Sequence, residues 1–169
     1  METYLNNLII TIDGPSGSGK EKIAKYISKK YNFFHLDSGI LYRRLALYFI
    51  KKNINLNNER KIKYFLNSIK ALSCRKNAKL RNEEIGKKAS TIASKKIVRN
   101  FIDNQQHLIV SDILKSFKGC VIDGRDIGSK VFKNAQIKLF IEVNVEIRAK
   151  RRHKQLIEQG ERNIYSRIL

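Results

Sequence analysis

Leu8-Ile9-Ile10-Thr11-Ile12-Asp13-Gly14-Pro15-Ser16-Gly17-Ser18-Gly19-Lys20 is the stretch that decides the fold. The apolar, β-branched run from Leu8 to Ile12 predicts a buried strand that leads directly into the loop Gly14 to Gly19. After Lys20 the spacing of Ile23, Ala24 and Ile27 predicts a helix ending near Lys30. Gly14 to Lys20 fit the pattern GxxxxGK, here in the strand, loop and helix setting that gives the pattern its meaning. The physical reason is geometric. Glycines let the backbone wrap so that successive N–H groups point at an anion, the helix N-terminus adds its positive end, and the lysine reaches the phosphates.

Working outward, Phe33 to Leu36 predicts a second strand and completes a βαβ unit. Ile40, Leu41, Leu45, Leu47 and Tyr48 suit a helix from Asp37 to about Lys52. Residues 58 to 100 are more polar and helix-compatible, with a weak extended patch at Ala71 to Cys74, and are taken as an inserted subdomain. Cys120 to Asp123 predicts a third strand, Ile137 to Val143 a fourth, and the stretch from Val145 a densely basic helix. Strands buried on both faces and alternating with helices imply an α/β fold, with helices packed on each side of a parallel sheet.

Length and composition narrow the function. A chain of 169 residues suits one compact domain with a small insertion. No apolar run reaches the roughly 18 to 20 residues that span a bilayer, and the N-terminus lacks a signal-peptide design, so a cytoplasmic protein without a membrane partner is expected. Cys74 and Cys120 sit far apart without metal-ligand spacing and are expected to be reduced and structural; His35, His107 and His153 are scattered. The net charge of +20 invites a polyanion reading. It is spread through the chain as Lys alongside abundant Asn and Ile, as A- and T-rich codons would produce, so nucleic acid is not expected as a partner.

Two further constellations carry chemistry. Leu36-Asp37-Ser38-Gly39-Ile40-Leu41-Tyr42-Arg43 follows the second strand, where the ligand crevice of a parallel sheet lies, although Asp37 or Ser38 could also be the N-cap of the next helix. Val121-Ile122-Asp123-Gly124-Arg125-Asp126-Ile127-Gly128 puts two acids and an arginine just past the third strand. A carboxylate there suits Mg²⁺ held through water, and an arginine suits a phosphate.

The ordered trio DGPSGSGK, LDSGILYR and IDGRDIG resembles the bacterial cytidylate kinases, P-loop nucleoside monophosphate kinases that act on CMP and dCMP. The likeness extends through Leu80 to Ile85, Ala89-Ser90 and Val98-Arg99 to the Arg148–Arg152 segment, nearly the whole chain. It implies a P-loop NTPase-type three-layer αβα core over residues 1–57 and 98–147, a shortened NMP-binding insert at 58–97, and the start of a lid at 148–169. The resemblance further implies a monomer using ATP and Mg²⁺. The loop Gly14, Pro15, Ser16, Gly17, Ser18, Gly19 and Lys20, with Glu21 and Lys22 after it, would hold ATP together with Arg148. Ser38, Arg43, Ser90, His107, Arg125 and Asp126 would bind the acceptor, and Asp123 would orient the metal through water. Lys20, Arg125 and Arg152 would be the catalytic cations, although a solvated basic face is the alternative for Arg148, Arg151 and Arg152.

The departures from the family pattern matter as much. Where the loop normally continues with Ser or Thr to hold Mg²⁺, this chain has Glu21, either an oxygen donor to the metal or a first-turn acid favoured by the helix dipole. His107 stands where the family has an arginine for the acceptor phosphate and replaces it weakly, lacking the guanidinium fork. The insert is compressed around Arg75 to Lys79, and the family's RDxxDxxR lid segment with its closing strand and helix is not among these 169 residues, so weak turnover is expected. The rival expectation is a degenerate P-loop protein that binds nucleotide with little turnover, with or without nucleic acid. A third is a kinase of different specificity.

Overall fold

The computed structural model describes residues 7–158. β1 (Leu8–Asp13) leads through the glycine loop into α1 (Lys20–Tyr31), which stops at Asn32, a residue type that tolerates the left-handed conformation found there (φ 52°). β2 (Phe34–Asp37) passes directly into α2 (Ser38–Lys51). α3 (Glu59–Asn67) starts where Asn58 accepts a hydrogen bond from the Lys61 N–H. A 3₁₀ turn at Ala78–Arg81, α4 (Glu83–Ala93) and α5 (Lys96–Ile113) follow. β3 (Gly119–Gly124), a π-type turn at Ile127–Val131, β4 (Ile137–Phe140) and α6 (Val145–Glu158) complete the order.

The four strands form one parallel sheet in the order β2-β3-β1-β4. Alternation along each strand sends side chains to two different cores. Ile10, Ile12 and Val121 pack with Phe33 and Ala24 of α1 on one face, whereas Leu36, Cys120 and Ile122 pack with Val110 of α5, Ile127 and Phe132 on the other. Helices on both faces of a parallel sheet make this the three-layer P-loop NTPase-type architecture that the sequence predicts. A third core joins Leu41, Leu45 and Phe49 of α2, Ile62 and Leu66 of α3, Ile85 and Ile92 of α4, and Val98 and Ile102 of α5. Residues 58–97 thus share their hydrophobic interior with α2 and α5.

Two local expectations change. The fourth strand ends at Phe140 rather than Val143, and past it the Ile141 N–H still donates to the Asp13 carbonyl at 2.8 Å. Ala71 to Cys74 joins no sheet; instead the Leu72 N–H donates to Gln105 Oε1 at 2.7 Å, and Gln105 Nε2 donates to the Lys70 carbonyl, so one buried amide of α5 satisfies this segment. Among the described residues no helix is long and apolar enough to cross a membrane. The register sets Asp13 beside Gly124 and Asp37 beside Asp123, which brings the three motifs to one edge of the sheet.

Candidate active site

The glycine loop is held between two neighbours. A side chain at Gly14 would come within 2.6 Å of the Ile141 carbonyl that follows β4, and at Gly17 (φ 77°) within 3.2 Å of the Arg148 carbonyl on α6. Inside the loop, the Ser18 N–H and Lys20 Nζ both donate to the Pro15 carbonyl, at 3.3 and 3.1 Å. Burial lowers the pKa of Lys20, opposed chiefly by the nearby charge of Asp123, while Arg125 adds to the lowering. Arg151 Nη1 donates to the Gly17 and Ser18 carbonyls at 3.3 and 3.2 Å, and Arg148 Nη1 to the Ser16 carbonyl at 3.5 Å. The basic helix α6 therefore lies along the outside of the loop.

Asp13, Asp37 and Asp123 close three strands at this edge, but they do different work. Asp13 projects to the α5 face, where its two oxygens accept from the Ile127 and Gly128 N–H groups at 2.7 and 2.8 Å and pin the π-type turn. Asp37 and Asp123 are register partners on the α1 face, the side of Lys20. Burial pushes the Asp37 carboxyl above its ordinary value, and the like charge of Asp123 pushes it further. His35, two residues before Asp37 and hence on the same face, brings Nε2 within 2.6 Å of Asp123 Oδ1. Asp37 occupies the N-cap position of α2 without capping it through its side chain.

A second set of groups lies on the adjoining helices. Ser38 is buried, and its hydroxyl fills the space a side chain at Gly124 would need. Arg43 donates to the Leu80 carbonyl at 2.9 Å and lies over Gly86 of α4. Ser90, one turn further along α4 and so on the same side as Gly86, is exposed. Arg125 and Asp126 are exposed beyond β3, with Asp126 paired to Lys130. Burial, helped by Asp103 and Asp126, pushes the Tyr42 hydroxyl up to about 12.

Residues 10–169 match the family model described as cytidylate kinase. The chain belongs to the cytidylate kinase family. The cytidylate kinase of Fusobacterium nucleatum subsp. nucleatum is 36% identical over 179 residues, covering 98% of this chain and 78% of that one. Those of Bartonella bacilliformis and Thermosipho melanesiensis are 35% and 37% identical, over 98% and 95% of this chain and 74% and 75% of theirs.

Within this cytidylate kinase fold, the residues singled out from sequence fall into three groups. Lys20, Asp123 and Arg125 share one electrostatic neighbourhood. Ser38 meets Gly124 from α2, and Arg43 reaches across to α4. His107, by contrast, is exposed on α5 and lies against Phe132 with the rings tilted by 52° and their centroids 4.6 Å apart. Lys22 and Ser16 are exposed, and the side chain of Arg152 lies outside the described residues, as do 159–169. Glu21 is bound to Lys25 and Lys76 at 2.8 and 3.1 Å; burial opposes its charge, but these partners prevail and hold the carboxyl down at about 2. Sequence reasoning singled out neither Asp13 nor His35, read Asp37 only as part of the crevice motif or as an N-cap, and gave the loop contacts of Arg151 no place. The period-two spacing of His35 and Asp37 on one strand was the available signal for two of them.

The donor set suits a hard divalent cation. Two carboxylates stand side by side on neighbouring strands, and the Ser18 hydroxyl is buried without a hydrogen-bond partner among the described residues. Among the described residues no three His, Cys, Asp or Glu side chains are arranged to hold a metal ion by themselves.

Proposed function

We propose that the chain transfers the γ-phosphoryl group of ATP to CMP or dCMP, giving CDP or dCDP. The observation that carries the reading is the convergence of Lys20, Asp123 and Arg125 at one edge of the sheet, with Ser38 and Arg43 on the adjoining helix. Such a transfer needs positioning and charge stabilisation rather than a covalent nucleophile. The loop Gly14–Lys20 cradles the ATP phosphates through its N–H groups, and Lys20 leaves the Pro15 carbonyl for them. Arg148 covers the same loop from α6, joined by Arg151. Ser38, Arg43, Arg125 and Asp126 hold the acceptor nucleotide, Ser90 meets its base, and His107 weakly replaces an arginine at the acceptor phosphate. Asp123, with Asp37 beside it, would hold Mg²⁺ through water, and the cation would neutralise charge on the transferring phosphates. Residues 58–97 serve as the acceptor-binding insert on a core of 1–57 and 98–147, with 148–169 opening a lid, and the protein works as a monomer.

A coupled assay of ADP release with a panel of monophosphates tests this. CMP and dCMP should exceed AMP, GMP and UMP, because a wrong base leaves buried polar groups unpaired at about 1–3 kcal/mol each. AMP matching CMP would overturn the assignment of acceptor.

A second reading, nucleotide binding with little turnover, is favoured by Glu21 being occupied by two lysines and by His107 lying against Phe132. Calorimetry showing both nucleotides bound in the absence of ADP release would select it.

A further inference from the structure

We propose that His35 is a positioning residue for Asp123, holding one carboxylate oxygen so that the other is presented to metal-bound water; the proposal rests on the role given to Asp123 above. The register places His35 diagonally across from Asp123 on the α1 face, and Nε2 meets Oδ1 at 2.6 Å with the side chains only 10% and 5% exposed. With the Asp123 carboxylate as acceptor, this contact requires the tautomer of His35 that carries its proton on Nε2. Among the described residues no other donor is hydrogen-bonded to the Asp123 carboxylate.

Both neighbours of that carboxylate make an orienting contact necessary. Asp37, its register partner on the same face, is a like charge: burial raises the Asp37 pKa and the charge of Asp123 raises it further. Lys20 attracts Asp123, but its ammonium is hydrogen-bonded to the Pro15 carbonyl. Packing gives no reason for an imidazole at this place. The α1 face of the sheet is otherwise filled by Ile10, Ile12, Phe33 and Val121, and an apolar side chain would avoid burying a polar ring. A donor that fixes a carboxylate beside a cation site is a recurrent device for setting the orientation of metal-binding groups.

The test uses Mn²⁺ in place of Mg²⁺, binding to the whole protein saturated with ATP, with free Mn²⁺ read by electron paramagnetic resonance. His35→Gln keeps an N–H at the right reach, whereas His35→Met has similar length and no donor. The Met variant should weaken Mn²⁺ about tenfold while calorimetric CMP affinity stays within about twofold, and the Gln variant should recover most of the loss. Equal behaviour of Met and Gln, or an unchanged Mn²⁺ affinity in Met while Asp123→Asn weakens it, overturns the role of His35. An Asp123→Asn protein that binds Mn²⁺ normally overturns the metal role of Asp123 itself and the proposal with it. Should the Met variant not fold, the unmodified protein decides by long-range ¹H–¹⁵N NMR: a protonated Nε2 on His35 is expected, and an unprotonated one refutes the contact.

Discussion

The carboxyl edge of the sheet and the 58–97 segment both carry many charges, but they handle them in opposite ways. At the edge, the charges of Asp123, Arg125 and Asp37 all act on Lys20, the charge of Asp123 adds to the burial that raises the Asp37 pKa, and His35 and Asp123 are almost fully buried together. In 58–97, Arg60, Lys61 and Lys63 of α3 stand exposed, and ion pairs such as Lys76 with Glu21 and Lys87 with Glu83 lie at the surface. A buried charge must find a partner, so its position is fixed by chemistry; a solvated one is free to accumulate. The net charge of +20 therefore says little about function, whereas four charges at one edge say much.

The comparison breaks most visibly at its strongest point. Lys20→Ala should lower turnover by about 10²- to 10³-fold, the cost of removing one preorganised charge from a phosphoryl-transfer site. Lys61→Ala, which removes the same charge from α3, should change turnover by less than about twofold, as exposed substitutions do. Steady-state ADP release at saturating CMP compares them. Equal effects would erase the distinction between the two regions, and a loss of RNA or DNA binding in Lys61→Ala alone would give the basic face a function.

Asp13 sharpens the comparison from the stability side. Its two oxygens each accept a buried backbone N–H, and Asp13→Asn replaces one acceptor by an NH₂ group facing a donor. A loss of about 1–3 kcal/mol in urea unfolding is expected, since a buried N–H is left unsatisfied. An unchanged midpoint would mean that the π-type turn does not need this anchor.

How much of this was legible in the sequence depends on the distance between partners. The loop, the LDSG turn and the IDGRD turn were readable because each is a contiguous motif at the end of an apolar run. His35 was not, because its partner Asp123 is 88 residues away and the two meet only once β2 pairs with β3. Cys74 and Cys120, judged isolated, converge in the same way: Cys74 packs on the core that contains Cys120, and burial, with Cys74 adding, pushes the Cys120 thiol up to about 12. Ala71 to Cys74 reads as an extended patch in the sequence, yet no pattern within it reveals that it joins no sheet and is satisfied by Gln105 instead. In α6 the resemblance points to Arg148 and Arg152; Arg148 and Arg151 meet the loop carbonyls, and the side chain of Arg152 lies outside the described residues.

Asp37 offers a smaller and oppositely signed effect. Its folded-state pKa lies above the ordinary 3.8, so the folded protein holds that proton more tightly than the unfolded chain does. Its contribution favours folding below 3.8 and is lost as pH rises through the folded value, which leaves ionised Asp37 weighing against folding at neutral pH. Asp37→Asn should therefore melt above the unsubstituted protein at pH 7, with the gain shrinking as pH falls toward 3.8. Adding Mg²⁺ and ATP should narrow the gap by compensating the charge in the unsubstituted protein. A variant that melts lower at neutral pH would remove Asp37 from the list of strained site acids.

Glu21 should give the smallest effect, and it tests the one ion pair that joins α1 to the 58–97 segment among the described residues. Its carboxyl is lowered from 4.5 to about 2, so its stabilising contribution is present above 4.5 and is lost as pH falls through about 2. The side chain is 41% exposed, which screens the pairs with Lys25 and Lys76. Glu21→Gln should cost less than about 1 kcal/mol at neutral pH, and the difference should fade at high salt. If Glu21 is a first-turn acid and nothing more, Mn²⁺ affinity in the ATP complex stays unchanged in this variant. A loss approaching that of Asp123→Asn would instead make Glu21 the oxygen donor in place of the missing hydroxyl. Lys76 would then be a partner that the cation displaces, and the boundary between the buried edge and the solvated segment would run through the metal site itself.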